Sequence, residues 1–179
     1  MGQGDGMIPV LIGTEDLRDR VSELAAEIRR DAGPDVTVHL IAVLKGAFVF
    51  LADLLRAFEG SVTCDFLGVA SYGAGTASSG QVKLTKDLDH PLNGRYVVVV
   101  EDILDTGFTL TYLLDILAAR EPAMLRTVCL LSKPSRRQID VAVDYIGFEI
   151  EDRFVVGYGL DYAEAHRNLP YIAQVQDLQ

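Results

Sequence analysis

The fold of this chain is decided by one stretch, VVVVEDILDTGFTL, which occupies residues 97–110. Its valine run predicts a buried strand, and Glu101 and Asp102 follow where that strand is expected to end. A third acid, Asp105, precedes a Thr-Gly turn that opens into a predicted helix. In α/β proteins the ligand lies at the carboxyl ends of the strands, and a helix start offers unpaired N–H groups to an anion. Acids beside such an anion site predict a phosphorylated sugar held together with Mg²⁺.

Length and composition predict a single domain with a core of its own. The chain has 179 residues, of which 49% are hydrophobic, and this is enough for a core without disulfide or metal cross-links. The sequence shows no internal repeat and no linker. We therefore expect residues 1–179 to form one domain, with residues 1–7 as a disordered lead-in.

Charge and hydropathy exclude several classes of partner. The 26 acidic and 16 basic residues give a net charge of −10, which is opposite to the usual balance of a nucleic-acid-binding domain. The apolar runs are too short to cross a bilayer, and the N-terminal residues lack the features of a secretion signal. We expect a cytoplasmic protein with no nucleic-acid and no membrane partner. Cys64 and Cys129 lie in apolar runs, so both are expected to be free, buried thiols.

Apolar periodicity predicts two βαβ units and hence a parallel sheet with right-handed crossovers. The first unit covers residues 36–70, with a helix over residues 47–58. The second unit covers residues 96–131, with a helix over residues 109–120. The expected fold class is therefore α/β, with a mostly parallel sheet flanked by helices on both faces.

The remaining segments comprise another helix, short strands and one glycine-rich loop. The helix begins at Thr14, which is expected to cap it, and carries Leu17, Val21 and Leu24 at helical spacing. The loop, residues 71–81, has three glycines and few apolar side chains, a composition typical of a flexible segment. Short strands are predicted over residues 82–88, 143–148 and 154–158.

Several common catalytic and phosphate-binding motifs are missing from the sequence. It contains no GxxxxGK[ST] loop, and no GxGxxG fingerprint opens the helix after residue 107. The three histidines, His39, His90 and His166, are scattered and lie near no cysteine or serine signature. A catalytic triad or a zinc site is therefore not expected.

The stretch at 97–110 resembles the phosphoribosyl-pyrophosphate motif of the type I phosphoribosyltransferases, and four further segments resemble the hypoxanthine(-guanine) branch of that family. The similarity runs from about residue 8 to about residue 171. The four segments are Leu44-Lys45-Gly46, Ser71-Tyr72-Gly73, Lys133 after the Leu130-Leu131 strand, and FVVGYGLDY at residues 154–162. The resemblance implies the fold of that family, with a small hood formed by the N- and C-terminal segments, and assembly as a homodimer or homotetramer.

The same resemblance implies roles for the residues of the 97–110 stretch. It places Glu101 and Asp102 at the ribose hydroxyls and their Mg²⁺. It makes Asp105 the catalytic residue, which accepts the proton of a purine imidazole nitrogen. The implied 5′-phosphate cradle comprises Thr106, Gly107, Phe108 and Thr109. Since Phe108 stands where other members carry a polar or basic side chain, we expect this cradle to bind phosphate through backbone N–H groups.

Other matching positions are implied to bind pyrophosphate or metal. Lys45 and Gly46 match the pyrophosphate loop, with a strained peptide expected between Leu44 and Lys45. Arg167 matches an arginine that contacts pyrophosphate, and Asp161 matches a ligand of a second Mg²⁺.

The purine base is implied to meet a further group of residues. Lys133 matches the lysine that donates to the 6-oxygen, Phe154 matches the ring that stacks on the base, and the backbone of Val155 reads the base edge. Ser71 and Tyr72 open the loop that excludes water from the reaction. Four basic residues are left as surface or subunit contacts, namely Lys83, Lys86, Arg136 and Arg137.

Together these positions imply purine salvage, in which Mg²⁺-dependent transfer of a 5-phosphoribosyl group to hypoxanthine, and to guanine, forms IMP or GMP and pyrophosphate. A different acceptor, such as xanthine or a pyrimidine, is one alternative. The other is a regulator that binds phosphoribosyl pyrophosphate without catalysis and acts on RNA or a partner protein. The acidity of the chain and the presence of Asp105 and Lys133 count against the regulator.

Overall fold

The computed structural model describes residues 9–71 and 82–175, so the predicted lead-in and residues 72–81 of the predicted loop lie outside it. In chain order its elements are β1 (Val10–Ile12), α1 (Thr14–Ala32), β2 (Val38–Leu44), α2 (Phe48–Ala57), β3 (Val62–Ser71), β4 (Val82–Lys86), β5 (Tyr96–Leu104), α3 (Phe108–Ala118), β6 (Met124–Ser132), a 3₁₀ helix (Pro134–Arg136), β7 (Tyr145–Glu149), β8 (Val155–Val156) and β9 (Ile172–Gln174). None of the helices in these two ranges is long and apolar enough to span a membrane.

The main sheet has six strands in the order β4-β3-β2-β5-β6-β7. Strands β3, β2, β5, β6 and β7 pair in parallel, and only the edge strand β4 pairs antiparallel, with β3. The β2–α2–β3 and β5–α3–β6 segments are the two predicted βαβ units. The carboxyl ends of β2, β5 and β6 consequently meet along one edge of the sheet.

Helices cover both faces of this sheet, as the apolar periodicity predicted. Helices α1 and α2 enclose the larger core with residues such as Leu24, Phe50 and Leu54, which are fully buried against one face. Helix α3 covers the other face, where Leu113 and Leu117 are fully buried. Since burial of one such side chain contributes about 1.5–3 kcal/mol, these two layers stabilise the scaffold on which the loops are held.

A second, smaller sheet joins the two ends of the described chain. Its order is β1-β9-β8, with Val10 opposite Ala173 and Val155 opposite Gln174 in antiparallel pairs. This sheet is the terminal hood that the resemblance implied.

Strand β5 is longer than predicted, and its two acids belong to it. The pairing of β5 with β2 ends at Val100, opposite Ala42. Its pairing with β6 continues as far as Leu104, opposite Ser132. Glu101 and Asp102 therefore lie within β5, where the backbone is held on one side only, and not after it.

Two local predictions are wrong. The N-cap of α1 is Gly13, without a side-chain hydrogen bond, whereas the Thr14 hydroxyl donates to the carbonyl oxygen of Pro170 at 3.0 Å. Both cysteines are free, but only Cys129 is buried. Cys64 is exposed because it lies on the first half of β3, and β4 pairs only with the second half, from Gly68 onward.

Candidate active site

The two acids of β5 are the most perturbed carboxylates at the edge where the strands end. Glu101 is 8% exposed, and its Oε2 is buried with no hydrogen-bond partner among the described residues. Burial and the neighbouring Asp102 charge raise the pKa of Glu101 well above its usual range. Burial likewise raises the pKa of Asp102, from 3.8 to about 6. A buried carboxylate of this kind readily binds a cation or a sugar hydroxyl, because either one supplies a favourable contact to the carboxylate oxygen.

The turn after β2 approaches Asp102 very closely. A Cβ added at Gly46 would lie 1.5 Å from Asp102 Oδ2, so any larger residue would displace the carboxylate. The Asp102 Oδ1 atom accepts a hydrogen bond from the Ile103 N–H at 2.8 Å. The peptide between Leu44 and Lys45 is cis. The structure thus brings the predicted pyrophosphate loop against one acid of the predicted ribose site.

A loop near the C-terminus closes over the same turn. We call residues 157–167 the C-terminal clasp. A Cβ at Gly159, which has a φ of +100°, would lie 2.2 Å from the carbonyl oxygen of Gly46. From the other side, Lys45 Nζ lies 2.9 Å from Glu164 Oε2. Backbone contact and an ion pair therefore join the clasp to the β2–α2 turn.

Within the clasp, Asp161 and Arg167 are paired with each other. Arg167 Nη2 lies 2.8 Å from Asp161 Oδ1, and Arg167 Nη1 donates to the Gly159 carbonyl oxygen at 2.8 Å. The other Asp161 oxygen accepts from the Glu164 N–H at 2.8 Å. A metal or a pyrophosphate at these side chains has to compete with this ion pair, and their predicted roles remain predictions.

The turn between β5 and α3 has the geometry of an anion site. Gly107 has a φ of +94° and precedes α3 without a side-chain cap, so the first N–H groups of the helix are available. The Thr106 carbonyl oxygen accepts hydrogen bonds from the N–H groups of Gln138 and Ile139 at 3.0 and 3.1 Å. These bonds fix the turn against the segment after β6. The predicted cradle, Thr106 to Thr109, therefore lies at the positive end of α3.

Lys133 and Phe154 lie on the loops beyond β6 and β7. The Lys133 N–H donates to the Leu104 carbonyl oxygen at 2.9 Å, and its buried side chain places Nζ 3.7 Å from Asp152 Oδ1. Phe154 is 41% exposed and meets Tyr162 edge to face, with ring centroids 5.5 Å apart. Val155 is buried in β8. Part of the Phe154 side chain is thus exposed and can meet a planar ligand.

Some of the predicted positions lie outside this arrangement, and some contacts in it were missed. Tyr72 and the side chain of Ser71 lie outside the described residues. Arg136, expected as a surface or subunit contact, donates from Nε to Asp105 Oδ1 at 3.1 Å. Arg137 donates to the Ser132 hydroxyl at 3.1 Å. The sequence signal for these contacts is the closeness of Arg136 and Arg137 to Lys133 along the chain.

A metal site built from protein side chains alone is not found in the described ranges, where no group of three or more His, Cys, Asp or Glu side chains is arranged to hold an ion. Mg²⁺, however, is usually bound through one or two carboxylates together with substrate phosphates and water. Glu101 and Asp102 fit that second type of site, since Glu101 Oε2 is buried and has no hydrogen-bond partner in the part of the chain that the structure describes.

Comparison with known proteins agrees with this geometry. The phosphoribosyl transferase domain family matches residues 13–163, and the chain belongs to that family of phosphoribosyltransferases. Within it, the chain is 45% identical over 170 residues to the hypoxanthine-guanine phosphoribosyltransferase of Aquifex aeolicus, with 95% of this chain and 96% of the relative covered. It is 48% identical over 163 residues to the hypoxanthine-guanine phosphoribosyltransferase of Bacillus subtilis, with 91% and 90% covered.

A solved structure extends the comparison to three dimensions. The crystal structure of a hypoxanthine-guanine phosphoribosyltransferase from Bacillus anthracis matches with a TM-score of 0.89 and 48% identity, over 93% of this chain and 98% of that one. The resemblance noted in the sequence, and the α/β fold that it implied, are therefore confirmed.

Proposed function

We propose that this protein is a purine-salvage enzyme that transfers the 5-phosphoribosyl group of phosphoribosyl pyrophosphate to hypoxanthine and guanine. One observation carries the proposal. Asp105 and Lys133 follow two adjacent parallel strands, and the Lys133 N–H bonds to the Leu104 carbonyl oxygen at 2.9 Å. The loops that carry Asp105 and Lys133 are thereby held together, which supports their proposed roles as proton acceptor and cationic donor. The names of the relatives, which are hypoxanthine or hypoxanthine-guanine phosphoribosyltransferases, support the same acceptor.

The chemistry of the transfer accounts for the residue types at the site. As one imidazole nitrogen of the purine forms the new C–N bond, the bond from the anomeric carbon to pyrophosphate breaks. Asp105 accepts the proton of the other imidazole nitrogen, and such general base catalysis contributes about 10²–10⁴-fold. The carboxylates of β5 lie where the ribose ring develops positive charge. The N–H groups at the start of α3 bind the 5′-phosphate and hold the sugar in place.

Mg²⁺ is proposed to enter with phosphoribosyl pyrophosphate. When bound, it neutralises the charge that develops on the leaving pyrophosphate. Glu101 and Asp102 would hold it from the ribose side, and Asp161 would hold a second ion from the clasp. Lys45 and Arg167 add positive charge near the same group.

Base recognition is proposed to depend on Lys133, Phe154 and Val155. A lysine ammonium has three donors and no acceptor, so Lys133 favours a 6-oxo group over a 6-amino group. Phe154 stacks on the ring, and the backbone of Val155 meets the base edge. Xanthine presents the same 6-oxo group, so the contact with Lys133 does not distinguish xanthine from hypoxanthine or guanine.

We further propose that residues 1–179 act as a single domain, in the cytoplasm, as a homodimer or homotetramer. The family resemblance supports this assembly, and sedimentation equilibrium of the purified protein would measure its mass directly. A monomer at micromolar concentration would contradict it.

The activity can be tested by following IMP or GMP formation from hypoxanthine or guanine with phosphoribosyl pyrophosphate and Mg²⁺. We expect turnover with both bases, loss of turnover with a chelator, and weaker competition from adenine and uracil than from xanthine. Asp105→Asn should keep the fold and lower kcat by about 10²–10⁴-fold. The absence of product with every 6-oxopurine would contradict the proposed function, and unchanged turnover of the variant would remove Asp105 from its role.

A further inference from the structure

Four side chains of alternating charge form a chain across the candidate active site. Arg136 Nε lies 3.1 Å from Asp105 Oδ1, and Arg136 Nη1 lies 3.8 Å from Asp152 Oδ2. The other oxygen of Asp152 lies 3.7 Å from Lys133 Nζ. The proposed proton acceptor and the proposed 6-oxygen donor are therefore connected through two residues to which neither the family resemblance nor the proposed mechanism assigns a role.

Backbone hydrogen bonds hold the first part of this chain in place. The Arg136 N–H donates to the Lys133 carbonyl oxygen at 3.1 Å, which closes the 3₁₀ turn between them. The N–H groups of Gln138 and Ile139 donate to the Thr106 carbonyl oxygen, one residue after Asp105. These hydrogen bonds hold the chain before and after Arg136, and so they fix its position relative to Asp105.

The loop that carries Asp152 is anchored to the same edge of the sheet. The Ile150 N–H donates to the Ser132 carbonyl oxygen at 2.9 Å, next to Lys133. Three loops, after β5, β6 and β7, are therefore joined through backbone contacts before any side chain is considered. Their order along the sheet brings the four charges into one row.

Three of these four charged side chains are too exposed for their ion pairs to contribute mainly to the stability of the fold. The Arg136, Asp105 and Asp152 side chains are 48%, 39% and 52% exposed, and ion pairs at such exposure contribute little to stability because water screens them. Their effect on geometry is more specific. Arg136 donates to Oδ1 of Asp105, and within the described residues no hydrogen bond reaches Oδ2, so one oxygen of the carboxylate is held and the other is left for a ligand.

We propose that Arg136 is a positioning residue for the transfer. It holds Asp105 by one carboxylate oxygen and, through Asp152, restrains Lys133, so that the acceptor and the donor keep the separation that a 6-oxopurine requires. The 6-oxygen and the neighbouring imidazole nitrogen are close together on the purine, and both groups must meet it at once. This proposal rests on the proposed function, because it assigns Asp105 and Lys133 the roles given there.

The test compares Arg136→Ala with Arg120→Ala, which removes a partly exposed arginine–aspartate pair beyond the other end of α3, where Arg120 lies 2.7 Å from Asp87. We expect Arg136→Ala to lower kcat with hypoxanthine about tenfold, since small misplacements of reacting groups have large effects on rate. The KM for phosphoribosyl pyrophosphate should stay within about twofold. Arg136→Lys should restore part of kcat, because it keeps the charge but not the planar fork. Arg120→Ala should keep the full kcat.

A double-variant cycle with Asp152→Asn tests the connection between the two loops. If Arg136 acts through Asp152 on Lys133, the double variant should lose little more kcat than Arg136→Ala alone. Additive losses would overturn the connection, and an Arg136→Ala kcat equal to the wild type would overturn the proposal. Failure of the proposed function is distinguishable, because the wild type itself would then show no turnover with any 6-oxopurine.

Discussion

The β5–α3 turn and the C-terminal clasp are two parts of the candidate active site that are built in opposite ways. The turn, residues 105–107, is local: its shape comes from Gly107 at positive φ, from the start of α3, and from backbone bonds to the Thr106 carbonyl oxygen. The clasp is held by side-chain ion pairs, because Asp161 meets Arg167 within it and Glu164 meets Lys45 of the distant β2–α2 turn. A phosphate site made of backbone tolerates changes of side chain, whereas a site made of ion pairs changes with each substitution.

The largest difference between the two regions is expected in pH dependence, because Asp102 lies against the clasp side and burial raises its pKa to about 6. A carboxyl whose pKa is higher in the folded state stabilises the fold below the unfolded value, and this is lost as pH rises through the folded value. The unfolding free energy of the wild type should therefore fall, relative to Asp102→Asn, as pH rises through the folded pKa of Asp102, between about pH 4 and pH 7. Urea unfolding at a series of pH values measures it.

The variant comparison is needed because another group acts in the opposite sense. Burial lowers the pKa of His39, so its contribution to stability grows as pH rises. His39 is present in both proteins and cancels in the difference. Parallel stability profiles of the wild type and Asp102→Asn would contradict the prediction.

The second prediction concerns kcat/KM and the close contact between the β2–α2 turn and Asp102. In Gly46→Ala the new Cβ would lie 1.5 Å from Asp102 Oδ2, so the carboxylate has to rotate away from its present position. We expect kcat/KM to fall about 100-fold, with little change in the urea midpoint, because only a side chain has to move. A variant with wild-type kcat/KM would show that the position of Asp102 does not matter for the reaction.

The smallest effect is expected on the stability of the β5–α3 turn. Gly107→Ala places a residue with a side chain at a φ of +94° and a Cβ 2.9 Å from the Ile139 carbonyl oxygen. Gly94→Ala is the matched control, since Gly94 has a φ of +71° and nothing within 4 Å of the added Cβ. The backbone conformation alone costs about 1–2 kcal/mol in either variant.

We expect Gly107→Ala to be less stable than Gly94→Ala by about 1 kcal/mol, because of the crowding at Ile139. Equal unfolding free energies would mean that the segment after β6 moves aside freely.

Features that depend on local sequence could be predicted, whereas features that depend on contacts between distant segments could not. The strand-turn-helix at residues 97–110 is local, and its apolar run, glycine and hydroxyls predicted both the βαβ unit and the anion site. The length of β5 could not be predicted, since it depends on β6 pairing beyond the point where β2 stops. The pairing of Lys45 with Glu164, and of Arg136 with Asp105, depends on contacts between segments that are far apart along the chain. Cys64 shows the same limit, because its exposure is decided by which half of β3 the edge strand covers.

The pairing of β1 with β9 has a consequence for biosynthesis. Val10 lies opposite Ala173, so its partner strand leaves the ribosome more than a hundred and fifty residues after it does. The main sheet can form before β9 has been synthesised. The small sheet cannot, because β9 pairs with both β1 and β8. A nascent or truncated chain without residues 172–174 would therefore contain the main sheet while lacking the strand that pairs with β8 beside Phe154, and such chains are expected to be targets for quality-control proteases.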